Sequence, residues 1–120
     1  MGGNTVEMNA QNFAETIDGN DVVLIDFWAD WCAPCKRFGP IYEDASERHA
    51  DVTFGKLDTE AERDVAAQLE ITSIPTVMAF KKGTLVFNQA GMLNGKQLDS
   101  LIEQVKELDI DKLKAESQQG

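Results

Sequence analysis

The longest apolar stretch of the chain runs from residue 22 to residue 29 and is interrupted only by Asp26. A near-continuous apolar run of this length predicts a strand that is buried on both faces of a sheet. Four shorter stretches also have the composition of strands, at residues 5–7, 52–58, 76–80 and 84–87. The last two flank Lys81-Lys82-Gly83, which predicts a hairpin.

Four segments instead space their apolar residues as helices do: 10–18, 33 to about 49, 60–69 and 95–108. Asn9 is a candidate N-cap for the first helix and Gly19 its end, while Asn94 or Gly95 begins the last. Pro40 lies inside the second helix, where a kink is expected. The alternation of strands and helices predicts an α/β domain with a mixed sheet that carries helices on both faces.

The C-terminal residues differ from the rest of the chain. Residues 1–108 hold all of the predicted elements and are expected to form one domain. Residues 109–120 are polar and charged, with Leu113 as their main apolar residue. They are expected to form a C-terminal extension that is either helical or disordered.

Composition and charge narrow the range of partners. The 120 residues are 42% hydrophobic and 27% charged, which is typical of one globular domain with its own core. The 21 acidic and 11 basic residues give a net charge of −10, which argues against nucleic acid or an acidic membrane as the main partner. No stretch is long enough to span a membrane, and the N-terminal residues lack the pattern of a signal peptide, so a cytoplasmic protein is expected.

The chemistry of the chain is concentrated in Trp31-Cys32-Ala33-Pro34-Cys35-Lys36, which holds its only two cysteines. The predicted strand delivers this segment to the first turn of a helix, where Pro34 is tolerated and Cys32 faces unpaired backbone N–H groups. These groups, the helix dipole and Lys36 all favour the thiolate of Cys32, the species that attacks disulfides. Cys35 lies one turn further on and is expected to be more buried and less acidic, so that it resolves the mixed disulfide.

Two other interpretations of the cysteine pair are weaker. A structural zinc site needs four ligands, and outside this pair the chain offers only His49 from the cysteine and histidine class. Two inert buried cysteines are a further alternative, although Trp-Cys-x-Pro-Cys is an unusual way to fill a core.

Asp26 is the most unusual placement in the predicted strands. An acid in the middle of a buried strand is costly without a partner, and desolvation should raise its pKa. The alternative is an aspartate at the exposed end of a strand.

The stretch Asp-Phe-Trp-Ala-Asp-Trp-Cys-Ala-Pro-Cys-Lys from Asp26 to Lys36, with Pro40 after it and Ser73-Ile74-Pro75-Thr76 further on, resembles the thioredoxin family. The resemblance covers roughly residues 6–108. Ala33 departs from the pattern, because thioredoxins usually have glycine there. Since alanine is small and favours helices, the change bears on the redox poise rather than on the assignment.

The resemblance implies a central mixed five-stranded sheet flanked by four helices and the activity of a protein-disulfide reductase. Cys32 and Cys35 would be catalytic, and Asp26 would lie beneath Cys35 and accept its proton. Lys56 matches the lysine that neighbours this aspartate in the family. Its position on a strand is equally typical of a surface lysine whose stem packs along the sheet.

The resemblance also implies a surface for protein targets. It places a cis bond between Ile74 and Pro75 beside the cysteines, which would leave the backbone of Ile74 free to pair with an extended substrate. The apolar ring around the cysteines would be a docking surface, formed by Trp31, Ala33, Pro34, Ile74, Gly91 and Met92. Taken alone, Ile74 and Met92 are equally compatible with core packing.

The expected partners follow from the family. Electrons would come from an NADPH-dependent flavoprotein reductase and pass to disulfide-containing target proteins. The dithiol itself is the redox group, so no bound cofactor or metal is expected, and the protein is expected to act as a monomer.

Two functional alternatives stay open. A disulfide-forming oxidant or isomerase shares the same Cys-x-x-Cys, although Ala33-Pro34 between the cysteines counts against it. The other is a binding subunit that uses only the apolar ring, and it would keep full function in cells without both cysteines.

Overall fold

The structure, a computed structural model, describes residues 3–119, with side chains for residues 3–113 and for Ala115. Five strands form one sheet: β1 Thr5–Glu7, β2 Val22–Trp28, β3 Thr53–Asp58, β4 Thr76–Lys81 and β5 Thr84–Ala90. Their order in the sheet is β1-β3-β2-β4-β5. β3 is parallel to both β1 and β2, whereas β4 is antiparallel to β2 and to β5. The predicted mixed five-stranded sheet is confirmed.

The helices are α1 Phe13–Asp18, α2 Ala33–Arg48, α3 Arg63–Gln68, α4 Gly95–Glu107 and α5 Ile110–Gln119. Four of them were predicted, and α5 is an addition within the expected C-terminal extension. α2 continues through Pro40 as one element, and the kink there stays a prediction. Among residues 3–119, none of the helices combines the length and apolar character needed to cross a bilayer.

Both short helices begin three residues later than the sequence predicted, for the same physical reason. The side chain of Asn9 accepts hydrogen bonds from the backbone N–H groups of Gln11 and Asn12. The side chain of Asp58 likewise accepts from those of Glu60 and Ala61. Short polar side chains of this kind stabilise turns that compete with a helix, so a turn precedes α1 and another precedes α3.

The core lies on both faces of β2, because this strand is central in the sheet and buried along its length. Leu24 packs in one cluster with Phe38 and Tyr42 of α2 and with apolar residues of α4. Val23, Ile25 and Phe27 pack in the other cluster, with Met8, Ile17 and residues of the α3 region. Because side chains alternate along a strand, Asp26 shares the face of Leu24 and is directed toward α2.

The hairpin between β4 and β5 differs from the prediction at Lys81. The loop consists of Lys82 and Gly83 alone, both with positive φ (49° and 79°), as a two-residue hairpin turn requires. Lys81 therefore belongs to β4 and is only 6% exposed. Its Nζ donates hydrogen bonds to the carbonyl oxygens of Val105 (3.3 Å) and Lys106 (2.5 Å). An ammonium at these carbonyls satisfies the C-terminal end of α4 and complements its dipole.

The C-terminal extension also contains a residue that the sequence analysis did not single out. Ile110 is buried, whereas the exposed Leu113 was taken as the main apolar residue of this segment. α5 thus begins with a residue that belongs to the core. The division of the chain at residue 108 stays a prediction.

We predict that Lys81→Met lowers the free energy of unfolding by about 1–2 kcal/mol, because two hydrogen bonds from a charged donor are lost while the apolar stem is kept. Denaturant unfolding at neutral pH measures the change. Lys82→Met is the matched control, because Lys82 is exposed in the adjacent turn and the same charge is removed. Equal stability of the two variants would contradict the capping role of Lys81.

Candidate active site

The cysteine pair lies where β2 gives way to α2. Cys32 is the N-cap of α2, and Pro34 lies in the first turn, as the sequence predicted. The Sγ of Cys32 accepts a hydrogen bond from the backbone N–H of Cys35 (3.2 Å). The two cysteines form a disulfide, with their Cα atoms 5.2 Å apart. The sulfur of Cys32 therefore occupies the position at which a helix end stabilises negative charge.

The two cysteines do not differ in burial. Each is 4% exposed, so the expectation that Cys35 is the more buried residue is wrong for the disulfide form. Cys32 is covered because it packs with Ala29, Trp28 and Ile74, and its Sγ lies 3.7 Å from the carbonyl oxygen of Ile74. The two sulfurs differ in their surroundings: that of Cys32 lies at the helix N-terminus, whereas Cys35 lines a cavity that it shares with Asp26.

Asp26 lines a cavity together with Cys35 and is fully buried, with 0% exposure. Within residues 3–119, neither of its carboxylate oxygens has a hydrogen-bond partner. Burial raises the pKa of Asp26 from 3.8 to about 7; the positive charge of Lys56 lowers it and the negative charge of Glu43 raises it further. The prediction of a buried acid with a raised pKa is confirmed, and the alternative of an exposed strand end is wrong.

A cavity of about 230 Å³ connects Asp26 with Cys35. A volume of this size can hold several water molecules, and its polar lining offers them partners. Proton transfer between the thiol of Cys35 and the carboxylate of Asp26 therefore has a route through water. The lining residues are Asp26, Trp28, Cys35, Lys36, Gly39, Pro40, Glu43 and Lys56.

Lys56 lines this cavity, and its side chain is 23% exposed. It is directly opposite Asp26 in the register of β3 with β2. Its Nζ lies 5.3 Å from the centroid of the Trp28 ring and 3.8 Å from Oε1 of Glu43. The sequence analysis missed Glu43. The signal was available in the spacing, because residues 35, 39 and 43 follow each other at four-residue intervals along one face of α2.

The six residues of the predicted docking ring are all exposed or half-buried. Trp31 is 69% exposed and Met92 37% exposed, while Ile74 is half-buried. Ala33 is exposed and Pro34 half-buried at the start of α2. The Ile74–Pro75 bond is cis, as the resemblance implied. The N–H of Gly91 donates to the carbonyl oxygen of Pro75 (2.8 Å), which ties the segment that carries Met92 to this loop.

A groove of about 300 Å³ adjoins the ring between Trp31, α3 and the loop that leads to Pro75. Its floor is apolar at Ala66, Ile71 and Ile74, and Glu60 and Arg63 form an ion pair at its edge. A groove of this kind can accept the side chain of an extended segment next to the disulfide under attack.

Comparisons with known proteins point to one family. The family model for thioredoxin matches residues 4–107. A Streptomyces coelicolor protein provisionally named thioredoxin 2 is 47% identical over 110 residues, which are 92% of this chain and 82% of the relative. A thioredoxin from Alicyclobacillus acidocaldarius is 38% identical over 102 residues, 84% of this chain and 97% of the relative. Among solved structures, a thioredoxin variant from Halobacterium salinarum has a TM-score of 0.81 at 30% identity, covering 88% of this chain and 93% of the other.

The pKa of Asp26 predicts how stability depends on pH. Between the unfolded pKa near 3.8 and the folded pKa of about 7, the folded state binds more protons than the unfolded state. The contribution of Asp26 to stability is therefore fully present below the unfolded pKa, and it is lost as pH rises through the folded pKa. Asp26→Ala removes this loss, so its stability relative to the parent should increase by about 2–4 kcal/mol from pH 4 to pH 8.

Denaturant unfolding of the oxidised proteins at the two pH values measures this difference. Asp30→Ala is the control, because Asp30 is exposed and its removal should leave the pH dependence of the parent unchanged. If the stability of Asp26→Ala relative to the parent were the same at pH 4 and pH 8, Asp26 would not be titrating from a buried site.

Proposed function

Because the chain belongs to the thioredoxin family and is therefore a protein-disulfide oxidoreductase, we propose that Cys32 is its attacking thiol and Cys35 its resolving thiol. The single observation that carries this assignment is the Sγ of Cys32 at the N-cap of α2, where it accepts the N–H of Cys35. A thiolate of Cys32 gains the same hydrogen bond and the helix dipole, whereas Cys35 lies inside the helix.

The proposed reaction has two exchange steps. The Cys32 thiolate attacks one sulfur of a target disulfide, so that a mixed disulfide forms and the other target sulfur leaves as a thiolate, which takes a proton from solvent. Cys35 then loses its proton and attacks the Cys32 sulfur. The second target sulfur leaves, and the protein retains the Cys32–Cys35 disulfide. Two electrons pass from the dithiol to the target, which becomes a pair of thiols.

In this proposal Asp26 accepts the proton of Cys35 through the internal cavity. A general base works best when its pKa lies near the working pH, and burial brings the pKa of Asp26 to about 7. Its unpaired oxygens support the role, since both are free to accept a proton delivered across the cavity. Lys36 and Lys56 supply positive charge along the same lining.

Target proteins would dock on the apolar ring. Trp31 and Met92 are exposed apolar side chains, and exposed apolar patches commonly mark interaction surfaces. We place the target strand along Ile74 and Pro75, beside Gly91, with its disulfide over Cys32. Ala33 and Pro34 form the part of the ring nearest the helix start.

Members of this family exchange electrons with disulfide-containing targets and with a reductase. For this chain we propose that the reductase is an NADPH-dependent flavoprotein, that the chain acts as a monomer, and that it works in the cytoplasm. The cysteine content supports the cytoplasmic location, because a chain whose only two cysteines form the reactive pair is suited to a reducing compartment. Reduction of insulin disulfides with a thiol donor tests the overall activity, and its absence would contradict the proposal.

We predict that Cys35→Ser accumulates mixed disulfides with target proteins, because the attacking thiol is kept and the resolving thiol is removed. Cys32→Ser, which removes the attacking thiol instead, is the matched control and should accumulate almost none. Non-reducing electrophoresis of each variant after incubation with an oxidised target measures the adducts. Faster trapping by Cys32→Ser than by Cys35→Ser would reverse the assignment of the two thiols.

We also predict that Trp31→Ala raises KM for a protein disulfide by roughly fivefold or more, because an exposed aromatic at an interface centre typically contributes at least 1 kcal/mol to binding. Reduction of a small aromatic disulfide, which cannot cover the ring, should change by less than twofold. Leu85→Ala removes an exposed apolar side chain from β5 and serves as the control. An equal loss for both substrates would indicate that Trp31 supports the cysteines rather than docking.

A further inference from the structure

Glu43 is a charged residue of the inner cavity for which the proposed reaction has no role so far. It lies on the face of α2 that carries Cys35, two turns further along, and it is half-buried. We propose that Glu43 is a positioning residue for the resolving step: it holds the Lys56 ammonium away from Asp26 and so keeps Asp26 able to accept the proton of Cys35. The inference rests on the proton-accepting role proposed for Asp26.

The position of Lys56 between two carboxylates is the first support. Lys56 is opposite Asp26 in the strand register, so its backbone is fixed next to that acid. Its ammonium nevertheless lies 3.8 Å from Oε1 of Glu43 and 5.3 Å from the Trp28 ring centroid, while neither oxygen of Asp26 has a partner among residues 3–119. The long side chain thus places its charge on Glu43 and Trp28 and leaves Asp26 unpaired.

The consequence for Asp26 follows from elementary electrostatics. An ammonium in direct contact with a buried carboxylate stabilises the charged form and makes it a weaker base. Glu43 opposes this in two ways: it attracts Lys56, and its own negative charge disfavours a second carboxylate nearby. Both effects act in the direction found for Asp26, whose pKa is raised by burial, lowered by Lys56 and raised by Glu43.

The other charged and titratable groups around Glu43, Lys56 and Asp26 come from several elements. On the inner side, α2 contributes Cys35 and Lys36 to the cavity, and the buried Tyr42 interacts electrostatically with Asp26. On the outer side, a groove of about 500 Å³ is lined by Thr5, Glu7, Trp28, Glu43, Lys56 and Asp58. Glu7 and Asp58 add two acidic side chains to the groove that Lys56 lines.

The outer groove also places Glu43 and Lys56 on a path by which Asp26 can exchange its proton with solvent. Trp28, Glu43 and Lys56 line both the groove and the cavity of Asp26, and the cavity also reaches the exposed Lys36 and Pro40. The groove lies on the β1–β3 side of the sheet, whereas Pro75 precedes β4 on the other side of β2. A proton taken up by Asp26 can therefore leave past Glu43 and Lys56 while a target covers Cys32.

The test is to titrate the Asp26 side-chain carboxyl by carbon-13 NMR in the oxidised protein, which needs no catalytic activity. In Glu43→Gln the midpoint should fall by roughly half a pH unit or more, since one nearby negative charge is lost and Lys56 is released toward Asp26. Glu43→Asp should restore most of the shift. Asp44→Asn is the matched control, because it removes an exposed charge one residue away on α2 and should leave the midpoint unchanged.

A double-mutant cycle with Lys56→Met tests whether Glu43 acts through Lys56. In the Lys56→Met background the shift caused by Glu43→Gln should be smaller, because the ammonium that it releases is absent. The pH profile of the resolving step, followed by rapid mixing of the reduced protein with a disulfide substrate, should move to lower pH in Glu43→Gln by the same amount as the carboxyl titration.

Three results would overturn the inference. The first is an equal midpoint of the Asp26 titration in Glu43→Gln and Asp44→Asn, and the second is an undiminished effect of Glu43→Gln on that midpoint in the Lys56→Met background. The third is a shifted Asp26 titration in Glu43→Gln without a shift in the pH profile of the resolving step. Failure of the proposed function has a different signature. In that case the parent and Asp26→Ala would show the same pH profile, whatever Glu43 does to the carboxyl titration.

Discussion

The buried, unpaired carboxyl of Asp26 is the constraint on which the rest of this site depends. β2 is central and apolar on both faces, so an acid in it cannot reach solvent without disrupting the sheet. A buried carboxylate that is fully paired with a cation would have a low pKa and would be a poor acceptor for a thiol proton. A buried carboxyl with no positive charge nearby would stay protonated at neutral pH. Burial raises the pKa of Asp26 to about 7, with the charge of Lys56 lowering it and that of Glu43 raising it, so Asp26 lies between these limits.

The short connection from β2 to α2 turns this buried acid into part of a redox site. It brings Cys32 to the helix N-terminus and leaves Cys35 one turn further on, above the cavity that contains Asp26. Tyr42 fixes the body of α2 against the sheet, because its hydroxyl donates to the carbonyl oxygen of Gly55 (2.7 Å). The distance between the sulfurs and the acid is therefore set by core packing, and Gly39 adds no side chain to the cavity that it lines.

The elements and the cysteine pair could be predicted because each depends on local patterns: apolar periodicity, turn residues and a specific motif. The five-stranded fold was implied by the family resemblance. Features that depend on contacts distant in sequence could not be predicted. Lys81 appeared to be a turn residue, since nothing in the hairpin sequence reveals that the end of α4 lies within reach of its ammonium. The spacing along α2 places Glu43 on the face of Cys35, but its contact with Lys56 depends on the packing of α2 on β3. The equal burial of the two cysteines depends in the same way on the loop around Ile74.

In the proposed reaction the strand order separates disulfide exchange with a target from proton exchange with solvent. β4 lies on one side of β2 and begins after the loop of Ile74 and Pro75, so contacts with a protein target fall on that side. β3 lies on the other side and carries Lys56 to the cavity and the outer groove. A target can then exclude water from the sulfurs, which favours disulfide exchange over side reactions, without closing the path of the proton. β2 lies between these sides, and in the proposed reaction its Asp26 serves the thiol of Cys35 and exchanges its proton through the cavity that both residues line.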